Sequence, residues 1–263
     1  SDYIEIYNSS DKFIEVNRLM VGNLDADGAG SDRMIDQSYS LAPRDFLVLT
    51  EDVAALRSRY ANVDQNKLLE MDLPSFNNDE GNVTLFSERS GDVVIIDAFD
   101  YDQEMHNAFI DDAEGVALER VSPSTASMIR SNWQSASSSS GYGTPTQVNS
   151  QNVGSTGSVS ELVQLSKKTF YPMQQMDEVL DIVLTLDRPD YIGTIDVYDS
   201  AGRPMLQLAS NQLISRNDQY SWDGRDASGT VLNAGVYIIV VRLTTSDGTI
   251  VTKKLPCVLS RAI

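Results

Sequence analysis

The chain has 263 residues, of which 41% are hydrophobic and 22% are charged, a composition typical of soluble globular domains and not of fibrous or disordered chains. Its 38 acidic and 20 basic residues give a formal net charge of −18, which disfavours binding to the phosphates of nucleic acids and to anionic lipids. The single cysteine, Cys257, excludes an internal disulfide and a four-thiolate metal site. An uninterrupted apolar run of about 18 residues is absent from the sequence, so no membrane-spanning helix is predicted.

Charge and composition divide the chain into two parts. Residues 1–150 contain 26 acidic and 10 basic residues, a net charge of −16, whereas residues 151–263 contain 12 and 10, a net charge of −2. The stretch 135–158 is rich in Ser, Gly, Thr, Asn and Gln, which cannot bury a core. We therefore predict a first domain over 1–150, a linker over 151–160 and a smaller second domain over 161–263.

The first domain has the pattern of short β-strands separated by turn residues. Apolar runs, several of them alternating, fall at residues 3–7, 13–16, 45–49, 83–86, 93–96 and 116–121. Apolar and β-branched residues at a period of two pack well on a half-buried pleated surface. The pattern predicts an antiparallel β-sandwich.

One segment departs from the strand pattern. Thr50 is a suitable N-cap, and acidic residues follow it in the first turn, where the helix dipole favours anions. Val53, Leu56 and Tyr60 then fall at helical spacing. We expect one short helix at residues 51–60.

The second domain repeats the strand pattern. Apolar runs fall at residues 179–186, 193–198, 236–243 and 249–259, with turn sequences at 199–202 and 247–248. These runs predict a smaller β-sandwich that needs no helix longer than a turn. Cys257 lies in the last run and is expected to be a buried, small apolar residue. The sequence does not show strands that alternate with helices, and it has no glycine-rich phosphate-binding motif. Both absences argue against nucleotide-binding folds.

Residues 3–150 resemble the lamin-tail domain, an immunoglobulin-like fold of nuclear intermediate-filament proteins and of many secreted bacterial proteins. Segments that carry the resemblance occur in family order at 3–8 (YIEIYN), 41–49 (LAPRDFLVL), 73–78 (LPSFNN), 96–97 with Tyr101 and His106, 115–120 (GVALER) and 143–145 (GTP) with 149–150 (NS). The sequence departs from the family pattern at 17–20, where Gly-Trp is usual, and at Thr146, where Gly is common. Glu119 and Arg120 are neighbours on a strand, so their side chains point to opposite faces and do not pair with each other.

Residues 179–263 resemble the immunoglobulin-like module of flagellar hook-capping proteins and the C-terminal sorting or anchoring domains of secreted Gram-negative proteins. The resemblance is carried by 197–199 with Gly202, by 222–226 (WDGRD) with Gly229, by 235–237 (GVY) and by 253–254. In the WDGRD loop, Trp222 is expected to anchor the core while Asp223 and Asp226 cap backbone N–H groups. Two immunoglobulin-like β-sandwiches in tandem, an all-β fold with one helix, are the predicted architecture.

His106 is the sole histidine of the chain, so a catalytic triad would have to use it. Asp97, Asp100, Asp102 and Glu104 are near it in sequence and are candidates to raise its pKa or orient its ring. No Gly-x-Ser-x-Gly type elbow supplies a nucleophile, and we interpret His106 as a structural residue. We also expect each sandwich to close on its core and to leave no cleft lined by reactive groups. No catalytic residue is predicted.

The stretch 25–32 (DADGAGSD) is the most metal-like part of the sequence. Alternating acids and glycines allow several oxygens to converge on a hard cation, so Asp25, Asp27 and Asp32 are candidate calcium ligands. The third acid and the terminal Glu of the EF-hand pattern are absent, and a solvated turn is the other interpretation. Apart from calcium, no cofactor is predicted.

Exposed aromatic side chains are the candidates for a shallow binding platform, and Tyr101, Trp133 and Tyr142, with Tyr171, are the residues in question. The alternative is that these rings belong to the cores. Some pair of carboxylates at glycosidase spacing is inevitable among 38 acids, so their number does not indicate an enzyme.

The sequence starts at Ser1 without a basic and apolar leader, so we expect any signal peptide to have been removed or to lie outside the given sequence. We predict a non-catalytic structural, adhesion or domain-presenting module of a larger secreted or cell-envelope bacterial protein, located outside the cytoplasm. The alternative is a carbohydrate- or protein-binding accessory module of a surface enzyme. Its partners would be other domains of the same polypeptide or a surface protein or glycan, and a binding module would show an exposed apolar patch or an unpaired sheet edge.

Overall fold

A computed structural model describes residues 2–23, 30–89, 92–152, 163–172 and 178–260. The chain forms two compact units. Unit 1 consists of Ser1–Ala136 and Gly141–Asn152, and unit 2 consists of Ser137–Ser140 and Val153–Ile263. The fold is all-β, and within the described ranges it has one α-helix and four short 3₁₀ turns. None of the helices found there is long and apolar enough to cross a membrane.

Unit 1 is built from short strands and two long ones. They are β1 (Tyr3–Tyr7), β2 (Ile14–Glu15), β3 (Leu19–Gly22), β4 (Asp32–Met34), β5 (Ser40–Leu41), β6 (Phe46–Thr50), β7 (Leu68–Glu70), β8 (Glu80–Arg89), β9 (Asp92–Asp102), β10 (Leu118–Arg120) and β11 (Trp133–Ser135). The sheets have the orders β1-β6-β7 and β4-β3-β8-β9, with two-stranded pairs β2-β5 and β10-β11. The 3₁₀ turns are Val16–Arg18, Gln65–Lys67, Gln103–Met105 and Arg130–Asn132.

Strand β6 is buried on both faces. Leu47 and Leu49 belong to the main core of unit 1, while Val48 packs with Leu56 and Tyr60 in a smaller cluster. This explains the continuous apolar run of β6, since alternation is expected only where one face is solvated. The helix α1 (Val53–Arg59) supplies Leu56 and covers the second face.

The helix predicted at residues 51–60 is confirmed, but its predicted N-cap is wrong. Asp52 is the N-cap, and its side chain accepts a hydrogen bond from Ala55 N at 2.9 Å. Thr50 is the buried last residue of β6, and its hydroxyl donates to the carbonyl of Asp2 at 2.9 Å. Thr and Asp both favour the N-cap position. Strand β6 extends through Thr50, so the helix begins after it and Asp52 is the N-cap.

The first domain was predicted to be an antiparallel sandwich, but unit 1 contains one parallel pair of strands. Strand β7 pairs with β6 in parallel, with Val48 opposite Leu68. The connection of residues 51–67 contains α1, and a crossover of this length allows parallel pairing, which a tight hairpin does not. Unit 2 has a second short parallel pair at its own edge.

Unit 2 contains eight strands in the described residues: β12 (Val163–Leu165), β13 (Thr169–Phe170), β14 (Leu180–Thr185), β15 (Ile192–Asp199), β16 (Pro204–Leu213), β17 (Asn217–Trp222), β18 (Gly235–Thr244) and β19 (Ile250–Leu259). Their sheets have the orders β12-β14-β17 and β13-β19-β18-β15-β16. One buried cluster takes residues from both sheets, as a sandwich requires. Strands β14 and β15 alternate buried and less buried residues, which is the pattern that the sequence shows.

The WDGRD loop of unit 2 has the predicted structure. Trp222 is fully buried and contacts the rings of Phe170 and Tyr237. The Asp223 carboxylate accepts from Arg225 N at 3.1 Å, and the Asp226 carboxylate accepts from the backbone N–H of Ser228 at 2.9 Å. These bonds satisfy backbone donors at a tight reversal, as expected of Asx turns. Cys257 is also buried, and burial raises the pKa of its thiol to about 11.

Residues 137–140 form part of unit 2 although they come from within the predicted first domain. The hydroxyl of Ser137 lies 2.5 Å from that of Ser215, and Ser139 Oγ donates to Asp218 Oδ2 at 2.6 Å. Ser138 N donates to the carbonyl of Leu213 at 3.0 Å. A serine-rich segment is thus bound by hydrogen bonds and not by apolar burial. The proposed linker at 151–160 lies mainly outside the described residues, and the tandem arrangement stays a prediction.

Candidate functional site

Unit 1 contains a large cleft, with a volume of about 1910 Å³. Apolar side chains of β1 and β8, namely Ile4, Ile6, Val83 and Leu85, line it and are only partly buried. Unit 1 has the buried core that a sandwich requires, but the expectation that no cleft lined by reactive groups accompanies it is wrong, because His106 and Glu5 line this cleft. Alternation predicts which side chains share a face of a strand, but it does not show whether another sheet covers that face.

His106 lines this cleft and is half-buried. Its Nδ1 lies 3.0 Å from Ser135 Oγ, which also accepts a hydrogen bond from Asn107 N at 2.9 Å. Ser135 is fully buried and does not line the cleft. A nucleophile must reach the substrate, so the pair holds strand β11 against the turn at 103–107.

The acids near His106 in sequence do not raise its pKa as proposed. Burial lowers the pKa of His106, because desolvation disfavours the charged imidazolium. Asp97 pairs instead with Arg120, at 3.2 Å, and Asp102 pairs with Arg130. The side chains of Glu119 and Arg120 take separate partners, in agreement with their alternation on β10.

Two of the predicted platform aromatics meet through a third ring. Trp133 stacks on Phe99 with a centroid distance of 3.7 Å, and Tyr101 lies 6.2 Å from the ring of Phe99. The hydroxyl of Tyr101 donates to the carbonyl of Asn77, and Trp133 Nε1 donates to that of Ser127, both at 2.7 Å. Tyr142 is exposed and does not line the cleft that these rings line, and binding at these aromatic residues stays a prediction. Tyr171 belongs to unit 2.

The predicted calcium ligands are only partly described. Asp25 and Asp27 lie outside the described residues, and Asp32 is an exposed residue of β4. Within the ranges that the structure describes, His, Cys, Asp and Glu do not form a group of three that could hold a metal ion. Calcium binding at 25–32 stays a prediction.

Two acidic residues of unit 1, the half-buried Glu5 and the buried Glu119, were not predicted as functional candidates. Glu5 on β1 accepts a hydrogen bond from Thr146 N at 2.6 Å. Glu119 on β10 accepts from Thr144 Oγ1 at 2.5 Å and from Ser150 N at 2.7 Å. Burial raises the pKa of Glu5 to about 8 and also raises that of Glu119. The two carboxyl groups thus attach the segment 144–150 to strands β1 and β10 of the same unit.

Thr146 has a left-handed backbone conformation. Its φ is +68°, a left-handed conformation that favours glycine and is costly for a β-branched residue. Glu5 holds its N–H, and its hydroxyl accepts a hydrogen bond from Asp64 N at 2.9 Å. Strained backbone of this kind persists where the surroundings over-determine it.

The longest run of consecutive exposed large apolar residues in the described part of unit 1 is on strand β9. Residues 93–96 (VVII) are 60%, 45%, 61% and 52% exposed, on both faces of the strand. Strand β9 pairs with β8 and is the last strand of its sheet in the described part of the chain. The pattern of apolar residues predicted this strand, but it did not predict that both of its faces meet solvent.

Two further exposed apolar residues directly follow Ser127, which contacts this strand. Ser127 Oγ binds the carboxylate of Asp97 at 2.5 and 2.6 Å, and Met128 and Ile129 follow Ser127 and are exposed. We name residues 93–96 the β9 patch. Ile96 also lines the cleft, so the patch and the cleft adjoin.

Comparisons with known proteins give weak structural likenesses. No family model matches the chain, and no curated protein matches it, so the lamin-tail resemblance stays a prediction. FlgD from P. aeruginosa is 21% identical with a TM-score of 0.27, over 37% of this chain and 78% of that one. CopC from Methylosinus trichosporium OB3b is 17% identical with a TM-score of 0.27, over 38% of this chain and 96% of that one.

A longer match is PorZ, described as an essential bacterial surface component of the type-IX secretion system of Porphyromonas gingivalis. It is 13% identical with a TM-score of 0.31, and the match covers 87% of this chain and 24% of PorZ. This chain thus spans about a quarter of PorZ. Likeness at such TM-scores carries no argument about function.

Proposed function

We propose that the chain is a non-catalytic interaction module of a secreted or cell-envelope bacterial protein, and that it binds an extended polypeptide segment along strand β9. The sequence analysis left carbohydrate binding and protein binding open for an accessory module, and this proposal takes protein binding. The observation that carries the proposal is the row of four exposed apolar side chains at 93–96 on an edge strand. The location outside the cytoplasm rests on the family resemblances and is part of the proposal.

An edge strand offers two kinds of contact to an extended segment. Its outer row of backbone N–H and C=O groups forms the main-chain hydrogen bonds of strand addition, and alternate side chains give specificity. Natural proteins usually protect such an edge with charges, prolines or a covering segment. Residues 93–96 contain neither a charge nor a proline, and the β-bulge of this ladder is at Ile96, so residues 93–95 are the regular part of the edge to which we assign the binding role.

Carbohydrate binding is the weaker alternative on the same unit. A sugar stacks on an exposed ring face, whereas Trp133 and Phe99 use one face of each ring against each other, at 20° between planes. The patch itself consists of aliphatic side chains. We therefore assign the patch to a polypeptide.

The test uses a fluorescent heptapeptide with neutral ends, Gln-Val-Thr-Val-Thr-Val-Gln, and measures its binding by fluorescence polarisation. We expect saturable binding to the full chain, and a loss of affinity of at least tenfold in Ile95→Lys. The matched control is Ile250→Lys, because Ile250 is 64% exposed and Ile95 is 61% exposed, each on a strand. The control variant should bind as the unchanged chain does.

A peptide with alternate backbone nitrogens methylated separates strand addition from apolar adhesion. It keeps the side chains but loses hydrogen-bond donors, so it should not bind. Absence of binding by the unmethylated peptide, or equal binding by the methylated one, would show that β9 does not accept a strand.

A further inference from the structure

The cleft of unit 1 is a second surface that suits an extended polypeptide, separate from the β9 patch. We propose that a partner segment with large apolar residues at alternate positions, and small uncharged residues between them, inserts into this cleft and pairs with the free edge of strand β1. This site goes beyond the proposed function, because it uses another strand of unit 1 and takes another class of segment.

The backbone of β1 has one unpaired edge. Strand β1 is the first strand of the sheet β1-β6-β7, and bonded and non-bonded residue pairs alternate along an antiparallel ladder. Tyr3 lies opposite Thr50, whose carbonyl accepts a hydrogen bond from Met71 N on the other side of β6, so Tyr3 belongs to a non-bonded pair. The backbone N–H and C=O groups of Tyr3, Glu5 and Tyr7 therefore point away from β6, and they have no hydrogen-bond partner among the described residues.

This unpaired edge lies in the cleft. All five residues of β1, Tyr3–Tyr7, line the cleft, and they extend over about 17 Å at the rise of an antiparallel strand. A backbone edge of this length can form main-chain hydrogen bonds with an added strand of about five to seven residues. The occupant that fits this edge is therefore an extended segment and not a helix.

The core-facing side of the cleft is apolar. Ile4 and Ile6 of β1, with Val83 and Leu85 of β8, line it and are only half-buried. An added strand beside β1 would cover Ile4 and Ile6 with its own side chains, since neighbouring strands place side chains on shared faces of a sheet. The cleft has a volume of about 1910 Å³. Leucine or phenylalanine fills it better than valine, because atoms beside empty space lose their dispersion contacts.

The opposite face of β1 already has neighbours. The ring of Tyr3 packs edge-on against that of Tyr60 at a centroid distance of 6.3 Å, and the Glu5 carboxyl group accepts a hydrogen bond from Thr146 N at 2.6 Å. An added strand therefore needs small side chains, such as serine, on this face. Burial and the nearby carboxyl group of Glu119 raise the pKa of Glu5, so this face disfavours negative charge. An acidic residue is excluded from these positions of the segment.

Hydrogen bonds join the two walls of the cleft. Strand β10 lines the cleft as β1 does, and the two strands belong to different sheets. Segment 144–150 connects them, because Thr146 N donates to Glu5 and Ser150 N donates to Glu119 at 2.7 Å. A cleft whose walls are fixed before binding loses less conformational freedom when a segment enters it.

The test is the solvent exchange of the backbone amides of β1, measured by NMR on the full chain at pH 7. In the free chain the amides of Tyr3, Glu5 and Tyr7 should exchange fast, whereas those of Ile4 and Ile6 are paired with β6 and should exchange slowly. The peptide Gln-Leu-Ser-Leu-Ser-Leu-Gln, with neutral ends, should slow the exchange of Tyr3, Glu5 and Tyr7 at least tenfold. Unchanged exchange of these three amides would overturn the inference.

Two control peptides test the choice of side chains at the concentration that gives tenfold slowing with the leucine–serine peptide. Gln-Val-Thr-Val-Thr-Val-Gln has three CH₂ groups fewer on its apolar face, each worth roughly a factor of four in affinity, and should slow the exchange less than twofold. Gln-Leu-Glu-Leu-Glu-Leu-Gln keeps the leucines but places carboxylates beside Glu5, and it should also slow the exchange less than twofold. Slowing by either control equal to that of the leucine–serine peptide would contradict the proposed selection.

The free chain distinguishes the other occupants. Slow exchange of Tyr3, Glu5 and Tyr7 in a dilute solution of the free chain would show that another part of the chain pairs with β1. Slow exchange that develops only at high concentration of the chain would identify a second copy. Either result would overturn the partner segment.

The same spectra separate this site from the proposed function. Ile95 belongs to the β9 patch and does not line the cleft, so Ile95→Lys should keep the slowing at β1. Slowing at residues 93–95 without slowing at β1 would refute the cleft site and leave the proposed function intact, and the reverse pattern would refute the proposed function alone. Loss of the slowing at β1 in Ile95→Lys would show that β1 responds only through β9, which would overturn the cleft site.

Discussion

The position of Glu5 in its strand pattern does not predict the pKa of its carboxyl group. In the alternating strand YIEIY it shares a face with Tyr3 and Tyr7, which the sequence indicates as the more polar face. In the structure the segment 144–150 covers this side chain, so that burial raises the pKa of Glu5 to about 8. Nothing in the strand pattern reveals the covering segment, since it is about 140 residues away in the chain.

The raised pKa predicts how the stability of unit 1 depends on pH. The folded protein holds a proton on Glu5 more tightly than the unfolded chain, where the pKa is near 4.5. This contribution to the free energy of unfolding is complete below pH 4.5 and is lost as the pH rises towards 8. Glu5→Gln cannot titrate and should flatten the decline between pH 5 and pH 8 in thermal unfolding measurements.

Glu15→Gln is the matched control, because Glu15 is an exposed glutamate of the same unit. This variant should show the same decline in stability between pH 5 and pH 8 as the unchanged chain. A Glu5→Gln variant with the same decline would show that Glu5 does not hold the proton. Glu119 also has a raised pKa, so part of the decline should persist in the variant.

At the scale of elements, the strands are the part of the fold that the sequence predicts best. The runs at 3–7, 45–49, 193–198 and 236–243 all fall within observed strands or extend them by one residue. Strands β16 and β17 were not predicted, because their polar residues at exposed positions interrupt the apolar run. Alternation of apolar and polar residues is weak evidence for a strand when only a few of its residues are apolar and buried.

Gly193 in β15 gives a prediction at this scale. A Cβ at this position would lie 2.5 Å from Cγ1 and 2.9 Å from Cδ1 of Ile214, which is fully buried and cannot move aside. Gly193→Ala should therefore lower the free energy of unfolding by about 1–3 kcal/mol through overpacking. Chemical denaturation followed by tryptophan fluorescence measures this change, since Trp222 lies in the same core.

Gly235→Ala is the comparison variant. Its added methyl group would have its nearest neighbours at 3.9 Å, so it should not lower the stability and should add a few tenths of a kcal/mol from the reduced freedom of the unfolded chain. Equal effects of the two variants would show that the space beside Gly193 is not restricted by Ile214.

At the scale of the molecule, the chain is not divided by a single boundary. Ser137–Ser140 belong to unit 2, whereas the residues on either side of them belong to unit 1. Ser215 is the main partner, with its Oγ at 2.5 Å from Ser137 Oγ and at 3.0 Å from Ser139 Oγ. Ser215→Ala should lower the free energy of unfolding of unit 2 by about 1–2 kcal/mol, because it removes a hydrogen-bond partner of the buried hydroxyl group of Ser137.

Differential scanning calorimetry with Ser210→Ala as the control tests this expectation. Ser210 is an exposed residue of β16 in the same unit, and its replacement should leave the transition of unit 2 unchanged. A Ser215→Ala variant with an unchanged transition would mean that the serine segment does not stabilise unit 2.

The sequence by itself determined the all-β class, the single helix, the WDGRD loop of unit 2 and the alternation that separates Glu119 from Arg120. These features depend on backbone conformation and on the period of a strand, which neighbouring residues encode. Only the tertiary structure decided that the VVII row of β9 is exposed, that a cleft lies beside the core of unit 1 and that segment 144–150 contacts Glu5. Each of these depends on which distant segment lies against a given face, and the local order of apolar and polar residues carries no record of that.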